Sequence, residues 1–348
     1  MEGLSIVNEL SSFVAPISDL VVSPSGAQLA TVNQEFVRIW DAATGALRGG
    51  VWALIPVRSV AFSPADEAII AIGGRTQNLG IYNLRTNQWM NKFSTGGVRQ
   101  LEFSPNGARL AAAIGNFAVF YNVTNNSRFS VERPSEVWGV RWVDHQRCLI
   151  LDAAGNLLLW DIVQNRQERA IALTGVGSGL TITSDRRLAA VNLRDRVAIV
   201  RLPDLSVLQT ISNAASPILA AQLTPNGRYL ITGDEAGQLL IWRVADGALV
   251  RQDTSATGLQ MDSAITRVAT ALNGQLITFT RSDGMLFTVR NPFPLGDVNG
   301  DGCVDDADLL LTLYAFGASN SQADLNADGV VDDADLLVVL FEFGLGCE

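Results

Sequence analysis

One histidine and one lysine serve a chain of 348 residues: His145 and Lys92. A single imidazole removes Ser–His–Asp catalysis in its usual form, histidine-built zinc sites and histidine acid–base chemistry at one stroke. The scarcity of lysine beside many arginines reads as a composition bias without functional content. Only three cysteines are present. Cys148 lies in an apolar run, RCLIL, and reads as a buried core residue. No stretch approaches the roughly 20 apolar residues that cross a bilayer. The N-terminal MEGLSIVNELSSFVAP has neither a basic region nor a long apolar core, so it is not read as a signal peptide. Positive charge is missing altogether from Gly296 onward, where twelve Asp or Glu stand with no Lys or Arg. The formal net charge of −10 is therefore concentrated at one end. The rest of the chain is close to neutral and offers no basic surface of the nucleic-acid-binding kind.

What is present is first a repeat. Turn signals recur as SPSG (23–26), SPAD (63–66), SPNG (104–107), VDHQ (143–146), TSDR (183–186), TPNG (224–227) and ALNG (271–274), at steps of 40, 41, 39, 40, 41 and 47 residues. Each follows an alternating strand such as SVAFSP or QLEFSP. Two further strands come next, and a weaker fourth in most repeats. Short strands of period two at this spacing predict an all-β, seven-bladed propeller. The last repeat has three clear strands before NPFP, and an unassigned strand at about 4–12 is expected to complete its blade and close the ring. The third strands carry IWD (39–41), LWD (159–161) and IWR (241–243). With these motifs and this period, residues 1–291 resemble a WD-repeat propeller, although the Gly–His pair of that family is absent. The resemblance implies the fold and no particular partner. The third-strand Trp and Tyr residues are expected to pack between blades. Asp41 and Asp161 read as strand-end turn residues, and no pair of catalytic carboxylates is apparent. Arg186, Arg187, Arg194 and Arg196 read as a solvated loop face in preference to an anion site.

The second signal is a pair of acidic twelve-mers, DVNGDGCVDDAD (297–308) and DLNADGVVDDAD (324–335). Oxygen-bearing residues at positions one, three, five, nine and twelve, with Gly at six, have the spacing of a calcium loop. The candidate ligands of the first loop are Asp297, Asn299, Asp301, the Cys303 carbonyl, Asp305 through a water, and Asp308. Those of the second are Asp324, Asn326, Asp328, the Val330 carbonyl, Asp332 and Asp335. Two calcium ions are expected. A helix is predicted after each loop, DADLLLTLYAFG (306–317) and DADLLVVLFEFG (333–344), each ended by glycine. None can precede the first, because NPFPLG breaks it.

A duplicated loop and exiting helix with Asp at position twelve resembles a type I dockerin module, over residues 292–348. The resemblance implies a small α-helical domain whose halves pack antiparallel and whose surface docks on a cohesin domain, outside the cell or on its surface. If the halves pack in that way, Cys303 meets Cys347 and a disulfide is expected; the alternative is two unpaired thiols. The family's specificity positions ten and eleven fall on Asp306–Ala307 and Asp333–Ala334. Further along the helices, where members carry basic residues, stand Leu313, Tyr314, Leu340 and Phe341. These eight residues are the expected partner surface. The sequence thus reads as a calcium-binding interaction protein: a propeller scaffold for a ligand or protein, with a tail that docks on a cohesin-like or cell-surface partner. An enzyme or accessory of polysaccharide breakdown is the alternative. A tail that merely caps its own propeller is a third reading.

Overall fold

The Ser/Thr-x-x-Gly turn explains why the repeat folds as it does. In the first, third and sixth repeats the leading hydroxyl, of Ser23, Ser104 or Thr224, accepts the backbone N–H five residues on. The closing Gly26, Gly107 and Gly227 have φ of 76°, 69° and 69°, a region that glycine occupies without steric cost. The computed structural model describes residues 6–10, 16–213, 215–253, 263–301, 303–319, 322–325, 329–345 and 347.

The described strands form seven four-stranded antiparallel sheets. Six are built from consecutive strands, the first from Asp19–Val22, Gln28–Asn33, Phe36–Asp41 and Leu47–Trp52. In the seventh, Ile265–Ala271, Leu276–Arg281 and Leu286–Arg290 are completed by Ile6–Leu10 from the other end of the chain, paired to Leu286–Arg290. The apolar residues of each blade face its neighbours, so the core consists of layers between blades. One layer joins Leu20, Leu29 and Trp40 of the first blade to Ala271, Leu276 and Leu286 of the seventh, which closes the ring. The protein is a seven-bladed β-propeller with two short C-terminal helices. Among the described residues no helix is long and apolar enough to cross a membrane.

The third-strand tryptophans are structural. Trp40 and Trp242 are buried, and their indole N–H groups donate to Thr31 and Thr232 at 2.8 and 2.9 Å. Asp41 and Asp161 accept backbone N–H groups of the turns that follow their strands. A hydrogen bond from Arg48, helped by Thr44, holds the Asp41 carboxyl down at about 2. This is the signature of a fixed, ionised turn residue; a general acid would need the opposite shift.

Candidate metal and docking module

Each acidic loop ends by starting a helix, and the start is doubly capped. Asp305 accepts from Ala307 N and Asp332 from Ala334 N, while Asp308 and Asp335 reach back to the N–H of Asp305 and Asp332. This reciprocal capping box fixes α1, Asp306–Tyr314, and α2, Asp333–Glu342. Both helices stop two or three residues before the predicted glycines, Gly317 and Gly344, which take φ of 77° and 84° in the turns that follow.

The halves meet antiparallel through two matching backbone pairs. Val331 donates to Ala318 O and accepts from Gly317 N. At the equivalent place in the other half, Val304 donates to Leu345 O and accepts from Gly344 N. Leu295, Val298, Val304, Ala323, Leu325, Val331 and Val339 form a core of the module's own. Cys303 and Cys347 are joined in a disulfide across 44 residues, with Cα atoms 4.5 Å apart. Cys148 is the free, buried cysteine. Closing such a loop stabilises by about 2–4 kcal/mol in typical cases. Cys347→Ser is therefore expected to lower the module's own unfolding transition while the propeller's stays put. Coincident transitions for the variant and the parent would contradict this.

In the first loop the candidate ligands are tied together by short hydrogen bonds. Asp297 accepts from Gly300 N and Asp301 N, Asp308 from Asn299 N, and the Asn299 amide donates to Asp301 at 2.9 Å. Cys303 lies alongside, its N–H donating to Asp301 at 2.9 Å. In the second loop Asp324 accepts from Gly329 N, and Asp335 from Leu325 N as well as Asp332 N. Val330 is exposed and pairs with Ser319. Asn326 and Asp328 lie outside the described residues. Among the described residues no three Asp, Glu, His or Cys side chains converge closely enough to share a metal ion.

The donor set fits a hard divalent cation nonetheless. Asp297, Asp308 and Asp335 are only 2%, 0% and 0% exposed, and the stretch from Gly296 on contains no Lys or Arg. Burying carboxylates is costly without a counter-charge. The positive group at hand is Arg228 of the sixth blade. Its guanidinium donates to the carbonyls of Asp297, Val298 and Gln322. Burial lowers its pKa while the charges of Asp297 and Asp308 pull the other way.

Sequence reasoning missed this seam, and Glu342 with it. Arg228 follows a turn in the propeller repeat, and nothing local in TPNGR announces a distant partner. Phe293 stacks on Tyr229 at 4.3 Å beside it. Glu342 is buried at the end of α2, where one oxygen accepts Gly296 N at 2.6 Å. Its signal was a lone acid in an apolar helix, LLVVLFEF. Arg228→Ala removes charge-assisted hydrogen bonds worth about 1.5–3 kcal/mol each. It is expected to speed proteolysis between Asn291 and Gly296 more than about tenfold, leaving the ring's melting unchanged. Equal cleavage rates would show that the seam does not hold the module.

The expected partner residues are all at the surface. Asp306, Ala307, Asp333 and Ala334 are exposed. Leu313 and Leu340 are half-exposed, while Tyr314 and Phe341 stand out at 87% and 81%. Leu310 and Leu337 extend the two faces at equivalent positions. The module's own core thus uses none of them, and each helix presents the same apolar ridge. In sequence, no known protein family and no characterised protein matches the chain.

Proposed function

We propose that the chain is a calcium-dependent interaction protein. The dockerin-like tail docks on a cohesin-like or cell-surface partner outside the cell, and the propeller is the rigid scaffold that carries a ligand or protein site. The observation that carries this reading is the pair of equivalent apolar ridges, Leu313–Tyr314 and Leu340–Phe341, on a module too small to expose them without use. Asp297, Asn299, Asp301, Asp305 and Asp308 with the Cys303 carbonyl would hold one ion. Asp324, Asn326, Asp328, Asp332 and Asp335 with the Val330 carbonyl would hold the other. Calcium supplies charge neutralisation there, and the residues supply the capped helix starts that aim the ridges outward.

The capping reading has one observation in its favour, the Arg228 seam, by which the tail packs on its own propeller. That seam occupies the loop carbonyls and leaves the ridges free, so docking is preferred. Capture experiments with the intact chain test the choice. A cohesin panel and surface extracts should yield a partner retained in calcium and released by chelator. Retention that ignores both chelator and substitution of the ridges would sink the docking role and leave the cap.

A further inference from the structure

In five blades the register of the innermost strand slips at its second residue: between Val57 and Ser59, Val98 and Gln100, Val137 and Gly139, Ile218 and Ala220, and Ile265 and Arg267. A bulge leaves the extra residue outside the ladder and re-aims its side chain. The extra residues are Arg58, Arg99, Trp138, Leu219 and Thr266, and all five line one cavity of about 870 Å³. The inner strands of all seven blades contribute to its wall, so it lies on the ring axis. Its size falls in the range of small-molecule sites, roughly 300–1,000 Å³.

The cavity is cationic in an acidic protein. Arg58, Arg99, Arg141, Arg186, Arg194 and Arg267 line it, against the carboxylates of Asp19 and Glu102. The solvated loop face expected of these arginines is thus corrected for Arg186, which is partly buried and donates to the Trp142 carbonyl, whereas Arg194 is exposed as expected. The two acids are engaged by the wall itself. Asp19 accepts Ser59 Oγ and Val60 N at 2.9 and 3.0 Å. Glu102 accepts Trp142 N at 2.7 Å, and burial pushes its carboxyl up against the pull of Arg141 and Arg186. Arg99 is held by Glu136 at 2.6 Å and lies over the Trp138 ring at 3.8 Å. Arg267 donates to Ser18 O at 2.6 Å.

Arg58 is different. It is half-buried, and its side chain makes no hydrogen bond or ion pair with a described residue. Burial lowers its pKa, and the like charges of Arg99, Arg75 and Arg267 add to the effect, against a smaller pull from Glu136. A guanidinium kept among like charges, with no described residue on its donors, is a site prepared for an anion, because charged oxygens satisfy its planar fork. Arg58 stands at the start of an inner strand, whereas Arg228 follows the end of one, so the module's contact with the ring is at the opposite face.

We infer that the axial cavity binds a small organic anion with two or more charged oxygen groups, a phosphate ester or a polycarboxylate, with Arg58 as principal ligand and Arg99 and Arg267 beside it. This gives the scaffold reading a ligand class and rests on that reading, but not on calcium or docking. The test is calorimetric titration of the intact, metal-depleted chain in calcium-free buffer, with inorganic pyrophosphate in one arm and tricarballylate in the other. Saturable binding is expected in at least one arm, and the arm that binds names the anionic group. Arg58→Ala, which removes no side-chain hydrogen bond or ion pair to a described residue, should weaken it by about tenfold or more. Arg58→Lys should restore part, and Arg58→Glu should abolish it, with the melting temperature unchanged. Binding in neither arm, or equal binding by Arg58→Ala, would overturn the inference. Calcium uptake and partner capture by Arg58→Ala should match the parent, which separates failure here from failure of the tail.

Discussion

Asp308→Ala is expected to abolish one calcium site and to strip hydrogen-exchange protection from α1 while α2 keeps its own; Asp335→Ala should do the reverse. Two effects are mixed in such a variant, and magnitude separates them. Asp308 accepts the N–H groups of Asn299 and Asp305 at 2.9 Å each, so its loss unmakes a helix cap worth about 1 kcal/mol. Binding an ion to the folded loop alone adds about 4 kcal/mol when free calcium is a thousand times Kd. The ion is expected to dominate, because Asp297, Asp301, Asp305 and Asp308 stand within one twelve-residue loop of a module without Lys or Arg. Asp308→Asn sharpens the distinction, since an amide oxygen keeps part of the cap and loses the charge. It should behave like the alanine variant in calcium and like the parent in chelator. Protection of α1 that is the same in all three proteins, with and without chelator, would remove calcium from the account.

Substituting one apolar ridge is expected to change partner affinity by little, and substituting both to abolish it. If Leu313–Tyr314 and Leu340–Phe341 are alternative docking faces, losing one halves the ways of binding, which costs about 0.4 kcal/mol. Losing both removes the aromatic anchor from either way of binding, and such a residue contributes about 2 kcal/mol or more at a binding hot spot. The combined variant Tyr314→Ala with Phe341→Ala should therefore fall by about thirtyfold or more. Because these rings are 87% and 81% exposed, the substitutions empty no core, and the module should melt as before. A single substitution that abolishes binding would show one face in use. A double substitution without effect would leave the tail as a cap.

The propeller was legible because its turns are local. The turn residues of each repeat lie within four positions, with a leading hydroxyl and a closing glycine in SPSG, SPNG and TPNG, so seven blades could be counted from spacing alone. The fourth strands were faint for a physical reason: outer strands such as Arg166–Ala172 are almost wholly exposed and carry no apolar alternation. The helix starts were legible through Asp305 and Asp332, although the helices end before Gly317 and Gly344. What the sequence did not disclose depends on the closed ring. The bulges that turn Arg58 and Arg99 inward exist only in the register of neighbouring strands. Arg186 was read with Arg187, Arg194 and Arg196 as a solvated loop face, yet it donates to the carbonyl of Trp142, 44 residues away. Arg228 belongs to one repeat by sequence and to the tail by contact.

Calcium stoichiometry of the intact chain tests the central claim most directly. Titrating the metal-depleted protein by calorimetry should give two ions per chain. It should give one for Asp308→Ala, one for Asp335→Ala and none for the two combined. Fewer than two ions in the parent chain, or two that survive both substitutions, would contradict the reading of the tail as a calcium-built docking module.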